Sequence, residues 1–183
     1  MRRARLVLVG LLLAACSLEP GATPISDTPL PATRSPLTPV VTTGAWHIAP
    51  VEPDPLTGET TTSISLDSST GRSQRGDPIT LVIRCRAGTT DIYIDWHQVV
   101  NTESQTVDWG LGYGSLSSAS WRVSTDNEAT FYPGDDVSQV KEFFGHTRLV
   151  VLTTPSGYLP ITATFDITGI QNAVAGVRQT CGW

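Results

Sequence analysis

Ile79-Thr80-Leu81-Val82-Ile83-Arg84-Cys85 and, six residues on, Ile92-Tyr93-Ile94-Asp95-Trp96 decide how this chain reads. In the first stretch Ile79, Leu81, Ile83 and Cys85 fall on one face. In the second Ile92, Ile94 and Trp96 do. A period of two belongs to a half-buried β-strand, whose successive side chains point to opposite sides. Ala87-Gly88 between them marks a turn. The same alternation extends upstream to Thr62-Ser63-Ile64-Ser65-Leu66. Downstream it recurs in Val107-Asp108-Trp109-Gly110-Leu111-Gly112-Tyr113, Trp121-Arg122-Val123, Ala129-Thr130-Phe131, Leu149-Val150-Val151-Leu152 and Ile161-Thr162-Ala163-Thr164-Phe165-Asp166-Ile167. Gly or Pro punctuates the joins, at Gly76-Asp77-Pro78, Pro133-Gly134 and Pro155-Ser156-Gly157. The expected fold class is mostly β: an antiparallel β-sandwich or open barrel with two short helices, one at the C-terminus.

The helices are expected where the period changes. Asp136 with Gln139 resembles a capping box, and Val137, Val140 and Phe144 follow at helical spacing before Gly145. Thr168 with Gln171 is a second such box, with Ile170, Ala173, Val174 and Val177 at i, i+3, i+4 and i+7. Gly176 weakens that helix modestly.

The N-terminus reads as an address. Arg2, Arg3 and Arg5 precede an apolar run from Leu6 to Leu13, too short to span a bilayer. Leu13-Ala14-Ala15-Cys16 has the form of a bacterial lipobox, in which Cys16 is acylated and becomes the mature N-terminus. An ordinary secretory signal with a stray cysteine is the alternative. The expected division is residues 1–15 as lipoprotein signal peptide, residues 16–45 as lipidated cysteine and Pro/Thr-rich tether, and residues 46–183 as an extracytoplasmic β-rich domain. Residues 17–44 hold six Pro, six Thr and no aromatic. Such composition favours an extended chain over a packed one. The expected localisation is therefore export, with lipid anchoring to the extracytoplasmic face of a membrane. Among 183 residues, 12 Lys+Arg stand against 17 Asp+Glu, and removing residues 1–15 takes away three of those arginines. That acidity, with no basic run after the first five residues, argues against nucleic acid as a partner.

Cys85 and Cys181 are the two remaining cysteines. An even remainder in an exported chain reads as one disulfide, with two free thiols or a metal site as alternatives. A metal site lacks support, since no CxxC and no His pair at ligand spacing occurs. His47, His97 and His146 form no HExxH, and there is no GxSxG. Gly110-Leu111-Gly112-Tyr113-Gly114 does not lead into a helix start and is not a phosphate cradle. No catalytic residue, cofactor or metal is expected, and the chain is read as a non-enzyme. Possible ligand contacts are Trp109, Tyr113 and Asp126, which would serve an alternative role as a cell-wall carbohydrate-binding module or envelope hydrolase.

Several blocks carry a family resemblance. They are Leu81-Val82-Ile83-Arg84-Cys85, Thr90-Asp91-Ile92-Tyr93-Ile94-Asp95-Trp96, Trp121-Arg122-Val123-Ser124-Thr125-Asp126, Phe143-Phe144-Gly145-His146-Thr147-Arg148-Leu149, Phe165-Asp166-Ile167-Thr168-Gly169-Ile170 and the closing Cys181-Gly182-Trp183. Together they resemble the VasI/TagO family, small exported accessory proteins associated with type VI secretion. The resemblance implies an extracytoplasmic β-rich domain with a Cys85–Cys181 bridge, and it brings no enzyme activity or catalytic set with it. The lipobox and long tether depart from the plain secretory form of that family, as does the segment from Trp109 to Gly114. The expected function is thus a membrane-anchored lipoprotein whose non-enzymatic binding or accessory domain contacts an envelope protein or glycan.

Overall fold

The computed structural model describes residues 42–183 apart from residue 54. Residues 1–41, with Cys16 and nearly all of the proposed tether, lie outside the described residues.

Each alternating segment forms a strand. They are β3 Thr60–Arg72, β4 Pro78–Arg86, β5 Thr89–Asp95, β6 Ser104–Leu111, β7 Ser117–Val123, β8 Ala129–Phe131, β9 Arg148–Thr153 and β10 Ile161–Asp166. Two two-residue strands, β1 His47–Ile48 and β2 Glu52–Pro53, carry no periodic signal and pair along β3. The eight longer strands run antiparallel in the order β3-β10-β9-β6-β7-β8-β5-β4, and β4 returns to β3. Of the two expected architectures the barrel is formed, and it is closed rather than open. Closure rests on β3, which is 13 residues long. Its first half pairs with β4 from Thr61↔Arg86 to Asp67↔Thr80. A register shift between Asp67 and Arg72 then swings it toward β10, where Thr70 faces Thr164. Such bulges bend and twist a strand, which a small barrel requires.

The inward positions are the ones the period of two marks. Ile64, Leu66, Leu81, Ile83, Ile94 and Phe165 are fully or almost fully buried. Trp96 is also buried, with its indole N–H donating to Thr130 Oγ1 at 3.0 Å. An eight-stranded barrel is just wide enough for its own side chains to fill. A cavity inside the barrel, bounded by Leu81, Ile94, Trp109 and Phe143, measures about 10 Å³. That is room for one water and not for a ligand.

Helices close one end. α1 Asp136–Phe143 lies between β8 and β9 and turns Gln139, Val140 and Phe143 inward. At the C-terminus, α2 Ile170–Ala173 and α3 Ala175–Cys181 are separated at Val174, so the expected single amphipathic helix is two. Cys181 is disulfide-bonded to Cys85, 96 residues earlier. Trp183 Nε1 donates to Thr90 Oγ1 at 2.9 Å, and the Lys141 ammonium and Arg178 guanidinium each lie 5.6 Å from its ring.

Both expected capping boxes are corrected by the structure. The N-cap of α1 is Asp135, whose carboxylate accepts from the Val137 and Ser138 amides at 3.1 and 3.3 Å. Asp136 is drawn away by the Ile92 amide, which donates to Oδ1 at 2.7 Å. At α2 the cap is Gly169, at φ +83°, with no side-chain cap. Close approach explains it: a Cβ on Gly169 would lie 2.5 Å from the Thr43 carbonyl carbon. A backbone passing that close selects glycine at the cap position. The domain's contacts therefore begin within the stretch assigned to the tether, where Asn172 Nδ2 also donates to Thr42 O at 2.8 Å.

Candidate functional site

The sequence-based candidates are not brought together. Trp109 is half-buried and packs edge-to-face on Trp121 and Tyr132, with centroids 5.5 and 5.6 Å away. It is part of the barrel filling, where such pairs add to area burial. Tyr113 is 94% exposed, because β6 ends at Leu111 and Gly112, at φ +63°, turns the chain. The Arg148 guanidinium sits 4.9 Å from the Tyr113 ring. Asp126 lies beyond the far end of β7, roughly 20 Å away along the strand at ~3.3 Å per residue. Its carboxylate accepts from Ser124 Oγ and from the Glu128 amide, which hold it below the usual carboxylate range. That is the chemistry of a turn. No platform combining Trp109, Tyr113 and Asp126 exists.

Among the described residues no group of three or more His, Cys, Asp or Glu is placed to hold a metal ion. His97, at φ +52°, lies on the rim opposite the helices. Its Nε2 is 2.9 Å from Thr80 Oγ1, but that hydroxyl donates to Asp67 Oδ1 at 2.9 Å. Arg75 ties the same rim together through Glu128 and Asp77.

A different surface is organised, on the outside of β4, β5, β8 and β7. The period of two that sends Leu81, Ile83, Ile92 and Ile94 inward sends Arg84, Asp91 and Tyr93 outward. Strand register then aligns them: Arg84 faces Asp91, Tyr93 faces Phe131, and Phe131 faces Arg122. Tyr93 and Phe131 stack at 5.1 Å. Arg84 donates to Asp91 Oδ2 at 2.9 Å and lies 5.2 Å from the Tyr93 ring. Arg122 lies 4.4 Å from the Phe131 centroid. Stacking of this kind holds a guanidinium plane in place and leaves its N–H edges available.

Beside this row is a cleft of about 310 Å³, lined by Asp91, Ser120, Arg122, Phe131, Tyr132 and Asp136 among others. Asp136 is its unusual member. Burial raises its carboxyl to about 6, with Asp91 and Asp135 adding to the rise and the Ile92 amide opposing it. Burial and neighbouring carboxylates also hold the Tyr132 phenol above its usual range. By residue type and spacing alone Asp136 reads as a helix cap. In sequence the cleft is traceable only through Tyr93, a large aromatic on a face that alternation assigns to solvent; alternation puts Phe131 on the core face with Ala129, whereas it is Thr130 that is fully buried.

Asp136→Asn is expected to stabilise the protein at pH 7. Asparagine keeps an acceptor for the Ile92 amide and removes the half-buried charge. The folded-state carboxyl titrates above its unfolded value, so the folded protein carries the charge at a cost above about pH 6. Below about pH 4 the group is neutral in both states and the gain disappears. Discounted for partial exposure, the gain is on the order of 1 kcal/mol. Urea unfolding at pH 7 and at about pH 3.5, below the unfolded-state value, checks it. An equal effect at both values refutes the assignment.

No family model, curated protein or solved structure matches the chain.

Proposed function

We propose that the chain is a membrane-anchored extracytoplasmic lipoprotein whose barrel is a non-enzymatic binding domain for an envelope component. The observation that carries the reading is the contrast between a barrel filled by its own side chains and the ordered Arg84–Tyr93–Phe131–Arg122 row beside an open cleft. A filled interior directs recognition to the outside. Aromatic and arginine side chains are the types enriched where proteins bind partners. The Cys85–Cys181 bond supports an oxidising compartment. The Cys16 lipobox and the Pro/Thr-rich stretch supply the anchor and spacer.

Crosslinking and pull-down from intact cells tests the reading, with the full chain beside Cys16→Ser and Arg122→Ala variants. A specific envelope partner recovered with the full chain, and lost with Arg122→Ala, is the expected result. Recovery unchanged by Arg122→Ala moves recognition off this face. Type VI secretion components among the recovered proteins would carry the narrower accessory role that the VasI/TagO resemblance implies. Their absence would remove it.

A further inference from the structure

Two opposite charges line the same cleft without meeting. Arg122 forms no ion pair among the described residues, and its ordered contact is with the Phe131 ring. Asp91 is already neutralised by Arg84 at 2.9 Å. Asp136 has the Ile92 amide on Oδ1, and the charges that perturb it are the carboxylates of Asp91 and Asp135, with no cation among them. The cleft thus presents a pre-positioned guanidinium and a half-buried carboxylate, each without a charged partner. Ser120 adds a hydroxyl, and Phe131 and Tyr132 add apolar wall.

We infer that this cleft binds a small zwitterionic amino-acid or dipeptide group, with its carboxylate on Arg122 and its ammonium on Asp136. The inference rests on the proposed binding role and names its ligand chemistry. A planar guanidinium accepts a carboxylate through two parallel hydrogen bonds, and a stacked one loses less freedom in doing so. The ammonium supplies the cation that the half-buried carboxylate lacks. At about 310 Å³ the cleft is at the small end for ligand sites, which suits one or two residues. A purely anionic ligand would leave Asp136 as a repelling charge, and a purely cationic one would leave Arg122 unused.

The test is calorimetric titration of the full chain in detergent with three probes: alanyl-alanine, its N-acetyl form and its C-terminal amide. Alanyl-alanine should bind, and each capped form should bind at least tenfold more weakly. Arg122→Ala should abolish the preference over the amide, and Asp136→Asn the preference over the acetylated form. Asp136→Asn is expected to be the more stable protein, so its loss of discrimination cannot be a folding defect. Equal binding of all three probes, or none by any, overturns the inference. Loss of envelope-partner recovery with Arg122→Ala would still uphold the broader reading in that case. Co-sedimentation with purified cell wall that alanyl-alanine competes away assigns the zwitterion to a wall peptide bearing both a free ammonium and a free carboxylate; alanyl-alanine binding without co-sedimentation assigns it to a free amino acid or dipeptide. Either result supports the inference.

Discussion

Gly71→Ala is expected to destabilise the protein by roughly 3 kcal/mol or more, seen as a large fall in the urea midpoint. Gly71 lies within the register shift of β3, where the barrel closes against β10. Its φ is +90°. A Cβ there would lie 2.3 Å from Thr162 O and 2.8 Å from Ala163 Cα. Both atoms are β10 backbone, so no side chain can swing aside. The Gly71 carbonyl also accepts from Ser68 Oγ at 3.1 Å and Arg72 Nη1 at 2.8 Å, which fixes the bulge locally. Relief must therefore come from separating β3 and β10. Gly76→Ala is the comparison. Gly76 has φ +89°, but a methyl group placed on its Cα would meet nothing within 4 Å. It should lose only the cost of the left-handed conformation, about 1 kcal/mol. Comparable losses at the two positions would show that closure at Gly71 is not the governing constraint.

Removing the disulfide should cost a similar or larger amount. In the chain-entropy account, a loop of 96 residues corresponds to roughly 4 kcal/mol. Cys85→Ala with Cys181→Ala is the variant to use, since Cys85 is fully buried in the core and alanine introduces no new polar group there. The loss should be uneven. β4 remains paired on both sides, to β3 and β5. α3 keeps the Val177 packing, the 3.0 Å Thr62–Thr180 hydroxyl contact and the Trp183–Thr90 bond. Hydrogen exchange should accelerate first in α3 and only later in β4. Uniform acceleration across the barrel, or a urea midpoint unchanged from the oxidised protein, would refute this role for the bond.

These two sites differ in how much of their role is written locally in the sequence. Cys85 and Cys181 are recognisable as a pair by arithmetic once Cys16 is set aside as the lipobox cysteine. Gly71 carried no warning, because its requirement comes from Thr162 and Ala163, far along the chain on β10. The helix caps failed for the same reason. Asp136 has the residue type of a cap, but the Ile92 amide competes for its carboxylate across the fold. Trp109 and Tyr113 looked equivalent by alternation. One is held among Trp121 and Tyr132, and the other turned outward once Gly112 broke the strand.

By itself the sequence determined the eight barrel strands, the inward faces of all but β8, the two helical regions and the cysteine pair. Those depend on local period, turn residues and composition, which neighbours along the chain record. Only the tertiary structure decided that the sheet closes, that the interior is full, and that Arg122, Phe131 and Asp136 share one cleft. Closure depends on a bulge finding its partner strand. The cleft depends on register between β5, β8 and β7, and register is set by packing across the whole barrel.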